Sequence, residues 1–103
     1  MVRVKIEWTL ESRLDLVDIL EFYLQRNGNS IFSKKLNTKI NASIKLFRKN
    51  PFLGKQTEDP AIRALITGDY QIIYEVFEKL VLIVVIWDCR RDPSDKIIDL
   101  RKK

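Results

Sequence analysis

The chain has no histidine and one cysteine, Cys89. The first absence removes the side chain that most readily moves protons near neutral pH, and with it a common zinc ligand. The second leaves nothing to staple a secreted domain, and a lone thiol agrees with a reducing, cytoplasmic setting. Long hydrophobic runs are missing too: the longest, Leu80 to Trp87, falls far short of the roughly 20 residues that a spanning helix needs. The N-terminus alternates apolar Val2, Val4 and Ile6 with charged Arg3, Lys5 and Glu7, which is not the basic-then-apolar order of a signal peptide. Gly54 and Gly68 stand alone, so no glycine-rich loop is available to cradle a phosphate. Glu7, Glu11, Asp15 and Asp18 have no histidine or cysteine alongside. Neither a metal centre nor a cofactor is expected.

Acidic residues are also absent from Asn27 to Thr57, a stretch that carries Lys34, Lys35, Lys39, Lys45, Arg48, Lys49 and Lys55. The first 26 residues are slightly acidic by comparison, and the tail adds Arg90, Arg91, Lys96, Arg101, Lys102 and Lys103 against Asp92, Asp95 and Asp99. The net charge of +5 is modest. Its uneven spread points to nucleic acid or an acidic protein as partner, because clustered like charges create a field that raises association rates. The plainer reading of the central stretch is a solvated lysine face on a helix.

With 103 residues, 46% hydrophobic and 32% charged, the chain has the size of one domain over residues 1–103. Residues 2–8 alternate with the period of a half-buried strand, at or near a sheet edge. Thr9 is a suitable N-cap for a helix over Leu10 to Gln25, whose apolar stripe is Leu10, Leu14, Val17, Leu20 and Leu24, widened by Leu16, Ile19 and Tyr23. Gly28 offers a left-handed stop, and Asn29 or Ser30 can cap the next helix. This second amphipathic helix, Ser30 to Lys49, carries Ile31, Phe32, Leu36, Ile40, Ile44 and Phe47 and ends before Pro51. The short turn between the helices makes them an antiparallel hairpin. Residues 51–61 read as loop. Ile62 to Ile66, Tyr70 to Phe77 and Leu80 to Asp88 then form a three-stranded meander. The last strand is apolar on both faces, which places it inside the sheet with the hairpin covering one side. The fold class is α+β, with the hairpin on one face of an antiparallel sheet.

This sheet delivers arginines to its ends. Arg63 starts the meander, and Arg90 and Arg91 follow its last strand, where a guanidinium can take a phosphate or carboxylate through two parallel hydrogen bonds. Against this, Arg63 has Glu75 and Asp69 as structural partners within reach. Alternation sends Arg90 and Arg91 in opposite directions, one structural and one functional. Tyr74 alternates with Ile72 and Val76 and reads as core with its hydroxyl satisfied at the rim. Trp8 and Trp87 read as core anchors, and Cys89 as a small buried or half-buried filler.

The order strand, helix, helix, meander joins specific residues: Ile6-Glu7-Trp8-Thr9, Leu14 to Tyr23 with Asp18, Asn50-Pro51-Phe52-Leu53-Gly54-Lys55, Ile62-Arg63-Ala64-Leu65, Tyr70 to Val76, and Trp87-Asp88-Cys89-Arg90-Arg91-Asp92-Pro93. Together they resemble the RelE/ParE toxins of bacterial toxin–antitoxin modules, and the likeness covers nearly the whole chain. It implies the toxin of a type II pair, plasmid-stabilising in character: a cytoplasmic growth inhibitor, silenced by a cognate antitoxin and joined with it in higher-order assemblies. ParE-like members inhibit DNA gyrase. RelE-like members cut messenger RNA on the ribosome with lysines, arginines and a tyrosine or histidine as acid–base groups. Here the residue after Tyr70 is Gln71, where the nucleases usually carry arginine, and no tyrosine follows Tyr74. A ParE-like action is therefore the expectation, with Arg63, Arg90, Arg91, Lys102 and Lys103 as target-binding residues. A ribosome-dependent endoribonuclease using Arg63, Tyr74, Arg90 and Arg91 is the alternative, and a degenerate member that only binds antitoxin is the third.

Overall fold

The structure, a computed structural model, describes residues 4–90. Thr9 opens helix α1 (Leu10–Asn27) by accepting a hydrogen bond from the Ser12 amide at 3.1 Å, and Gly28, at φ 71°, closes it in the left-handed conformation. Glycine adopts that conformation without a Cβ clash. Asn29 then accepts from the amide of Ile31 at 3.1 Å as helix α2 (Ile31–Lys45) begins. A short 3-10 turn, Leu46–Arg48, completes the second helix. The α-helix thus stops earlier than Lys49, because the chain tightens to bring Phe47 under the sheet ahead of Pro51.

Five strands make one sheet: β1 (Lys5–Trp8), β2 (Lys55–Gln56), β3 (Ile62–Thr67), β4 (Tyr70–Val76) and β5 (Leu80–Asp88), in spatial order β1-β5-β4-β3-β2. β1 lies at an edge, as its alternation suggests, but it runs parallel to β5. The sheet is therefore mixed instead of antiparallel throughout, since the hairpin between β1 and the meander returns the chain for a same-direction pairing. The stretch read as loop contains β2, whose two residues pair with Arg63 and Ala64. Two residues are too few to leave a periodic signal.

A one-residue bulge interrupts the β4–β5 ladder: Ile73 faces Val85, while Tyr74 faces Ile83. Val84 is the extra residue, and it changes which side chains share a face beyond it. Val81, Ile83 and Ile86 point toward the helices, whereas Val84, Val85 and Trp87 belong to a second apolar cluster with Ile62 and Ile73. The first cluster, between helices and sheet, gathers Leu16, Leu36, Ile40, Phe47, Ile72 and Tyr74 among others. Each fully buried aliphatic or aromatic side chain there contributes about 1.5–3 kcal/mol of transfer free energy. Ser33, buried in α2, donates to the Leu20 carbonyl at 2.7 Å and lets the two helices approach closely.

Helix α1 departs from the expected stripe. Leu10, Leu14 and Val17 are 70%, 51% and 45% exposed, and the buried positions are Ser12, Leu16 and Tyr23, with Ile19 and Leu20 half-buried. The apolar arc is wider than the sheet can cover. One edge of it packs, and the other stays open.

Candidate functional site

Beyond the bulge, Asp88 pairs with Tyr70 across the ladder and shares its helix-facing side. From there its carboxylate accepts both Nε of Arg90, at 2.9 Å, and Nη2, at 2.8 Å. Nη2 also donates to the hydroxyl of Tyr23 at 2.8 Å and to that of Tyr70 at 3.3 Å, and the Tyr70 hydroxyl donates to Tyr23 at 3.3 Å. The guanidinium lies 5.8 Å from the centroid of the Tyr70 ring. Two phenols and a carboxylate therefore fix one arginine on a rigid platform.

The protonation of this cluster follows from its geometry. The hydrogen bond from Tyr70, followed by that from Arg90, holds the Tyr23 phenol below its ordinary pKa, since both stabilise the phenolate. Burial, with Tyr23 as a second cause, pushes Tyr70 up. Hydrogen bonding to Asp88 raises Arg90 and keeps it cationic.

The cluster forms the wall of a cavity of about 440 Å³ between α1 and the end of β5, lined also by Asp15, Asp18, Ile19, Phe22, Arg26 and Ile86. Asp15 accepts a hydrogen bond from the Ile86 amide at 3.1 Å. A phosphate entering here would meet Asp15, Asp18 and Asp88 together with Arg26 and Arg90. The site is electrically mixed, unlike the cationic platform that the sequence suggests.

Arg63 is at the other end of the sheet. It donates to the carbonyls of Gly54, at 2.8 Å, and Phe52, at 3.3 Å, and its guanidinium sits 4.9 Å from the Phe52 ring. Glu75 and Asp69, the partners expected from sequence, do not hold it; the loop leading into β2 does. Tyr74 faces Arg63 across the β3–β4 ladder and is fully buried, stacked on Phe47 at 4.0 Å, with its hydroxyl accepting from the Gly54 amide at 2.8 Å. Burial raises the pKa of this phenol. Tyr70 and Tyr74 are four residues apart on β4, about 13 Å at 3.3 Å per residue. The structure thus separates Arg63 from Arg90 instead of joining them in one site. Arg91, Lys102 and Lys103 lie outside the described residues.

Two expectations about packing resolve differently. Trp87 is buried as an anchor, and Trp8 is half-buried with the Arg13 guanidinium 5.7 Å from its ring. Cys89, in contrast, is exposed, because β5 ends at Asp88 and the chain turns outward. Sequence reading missed Tyr23, Tyr70 and Asp88 as a set around Arg90. Tyr23 lies 67 positions from Arg90, and the only signal the members share is a polar group placed at the end of an apolar element.

A second surface uses other residues of α1. Between α1 and α2 a shallow groove is lined by Trp8, Arg13, Leu16, Val17, Leu20, Asn37 and Asn41. The exposed Leu10, Leu14 and Val17 continue it along α1. No described helix is long and apolar enough to cross a membrane.

Among solved structures the chain is similar to one from the chromosomal ParDE toxin–antitoxin system of P. aeruginosa, at TM-score 0.70 and 22% identity, covering 82% of this chain and 94% of that one. It is also similar to a chain of the RelBE2 toxin–antitoxin complex of Mycobacterium tuberculosis, at TM-score 0.51 and 18% identity, covering 85% of this chain and 93% of that one. A search of curated proteins gave no match. At these identities the structural likeness establishes the fold. The profile describing the ParE toxin of the type II toxin–antitoxin system parDE matches residues 6–93, and over that span the chain belongs to the ParE toxin family.

Proposed function

We propose that this single-domain chain is the growth-inhibiting toxin of its module and acts in ParE fashion on a protein target, DNA gyrase, not as a ribosome-dependent nuclease. The observation that carries this reading is how the candidate groups are engaged. Cleavage by a 2′-hydroxyl needs a group to take its proton, a cation over the non-bridging oxygens and a donor for the leaving oxygen. Tyr74 is sealed in the core, Arg63 is bound to the carbonyls of Phe52 and Gly54, and Arg90 is held by Asp88 and two phenols. Asp15 and Asp18 beside Arg90 would repel an RNA phosphate. This arrangement supports binding of a folded protein more than acid–base chemistry.

The open stripe Leu10, Leu14, Val17 and its groove support an antitoxin partner. An amphipathic segment laid there would cover surface that the fold leaves exposed. Replacing Leu14 and Val17 by serine, both exposed, should weaken antitoxin binding and leave the melting temperature unchanged.

The test is to induce the chain alone and follow growth, plasmid topology and transcripts together. Growth arrest with gyrase failure and intact messages is the expected result. Cuts at translated codons would overturn the reading in favour of the nuclease. Normal growth with soluble folded protein would favour a degenerate antitoxin-binding member.

A further inference from the structure

Helix α2 turns a lysine face outward that neither the cavity near Arg90 nor the groove beside α1 uses. Lys34, Lys35, Thr38, Lys39, Ala42 and Lys45 are all exposed, opposite the buried Ser33, Leu36, Ile40 and Ile44. Among the described residues none of these lysines lies within ion-pairing distance of a carboxylate. Lys34, Lys35, Thr38 and Lys39 surround a shallow depression walled mainly by the apolar stems of these side chains, which leaves their charged ends at its rim. Lys39 leans over the β3–β4 turn, where its Nζ would lie 3.1 Å from any Cβ at Gly68. From Lys34 to Lys45 the helix rises about 16 Å at 1.5 Å per residue, and Arg48 and Lys49, both exposed, prolong the cationic line.

We infer that this face is a binding surface for the phosphate backbone of duplex DNA. A duplex carries one charge per roughly 1.7 Å of axis, and lysines that neutralise its phosphates release condensed counterions. Lysine suits this role as a point charge that touches phosphate without the bidentate fork used to read bases. The outward positions from Lys34 to Lys45 include no aromatic residue. Single-stranded RNA is recognised largely by stacking on aromatics, and protein interfaces concentrate their energy in aromatic and arginine anchors. Neither class finds its usual anchors between Lys34 and Lys45. The contact is sequence-independent, and it does not depend on whether the chain's target is gyrase.

The experiment uses the full chain and fluorescence anisotropy with a mixed-sequence DNA duplex, titrated at several salt concentrations. A Lys34→Gln/Lys35→Gln/Lys39→Gln triple variant is compared with the corresponding triple arginine variant, each checked for an unchanged melting temperature. Each phosphate contact contributes about 0.9 to the slope of log affinity against log salt. Loss of three contacts should flatten the slope by about 2.7. That removes roughly fortyfold of the weakening seen between about 50 and 200 mM salt. The arginine variant should bind as the parent does. A glutamine variant with the parent's affinity and slope would overturn the inference, because other cations would then carry the binding. It would be overturned equally by tighter binding to single-stranded RNA, or by competition from polyglutamate at the same charge concentration as DNA, which would assign the face to RNA or to an acidic protein.

Discussion

Tyr74→Phe isolates one hydroxyl in the middle of the fold and so tests whether this tyrosine is structural. The phenylalanine ring keeps the stack on Phe47, whose centroid is 4.0 Å away at an interplanar angle of 29°. What disappears is the acceptor for the Gly54 amide at 2.8 Å, a buried bond across 20 positions. Gly54 cannot move to find another partner easily, since a Cβ at that position would lie 2.9 Å from both the Ala64 carbonyl carbon and its oxygen. The chain passes against β3 at van der Waals distance. A buried donor left unsatisfied costs about 1–3 kcal/mol. For a chain of this size that is a fall in melting temperature of roughly 4–20 °C. Thermal unfolding followed by circular dichroism measures it, with growth inhibition recorded for the same variant. If the tyrosine is structural, residual toxicity tracks the folded fraction. An unchanged melting temperature would refute the argument from the lost bond. A stable variant that has lost toxicity would show that the phenol acts on the target.

Gly54→Ala should destabilise more than Tyr74→Phe, because the added methyl meets backbone that cannot swing away; equal melting temperatures for variant and parent would show that the loop shifts freely. Arg63→Ala, removing two carbonyl contacts and the Phe52 ring contact, should speed proteolysis near Phe52–Lys55 while Arg90→Ala leaves that region protected. Glu75 is 7% exposed, and burial holds its carboxyl above the ordinary glutamate range. Its raised pKa means that the folded state binds the extra proton, so its unfavourable contribution grows as pH rises through the folded pKa and is absent below the unfolded one. Glu75→Gln should accordingly raise the melting temperature at neutral pH and have little effect at acidic pH, and a variant destabilised at pH 7 would refute this.

The strength of local periodicity decided what was legible in the sequence. Both helices, their caps at Thr9 and Gly28, and the three meander strands emerge from apolar spacing and turn residues. The covered side of α1 does not, because the Leu10-Leu14-Val17 stripe and the Ser12-Leu16-Tyr23 stripe both fit a helix, and only the position of the sheet chooses between them. The parallel pairing of β1 with β5 is a property of the chain path. Arg63 finds carbonyls in a loop with no charge to advertise them, so pairing it by charge with Glu75 or Asp69 leads elsewhere. The Arg90 cluster escapes for another reason: its register depends on the bulge, and strict alternation along β5 would put Asp88 on the wrong face.

That bulge bears on how relatives are compared. Val84 divides β5 into two phases, so column-by-column alignment with a protein lacking the extra residue would match every position after it to a side chain of opposite orientation. A carboxylate placed over α1 would be equated with a residue buried in the second cluster, and real differences would look like conservation or the reverse. The corrective gap falls inside an uninterrupted run of Val and Ile, where residue similarity gives almost no guidance to its placement. Strand geometry, and not substitution score, should decide where that gap goes. Deleting the Val84 codon, by contrast, would leave Trp87 opposite Gln71 and Asp88 opposite Tyr70 and make the ladder regular, with little change in the hydropathy of the strand.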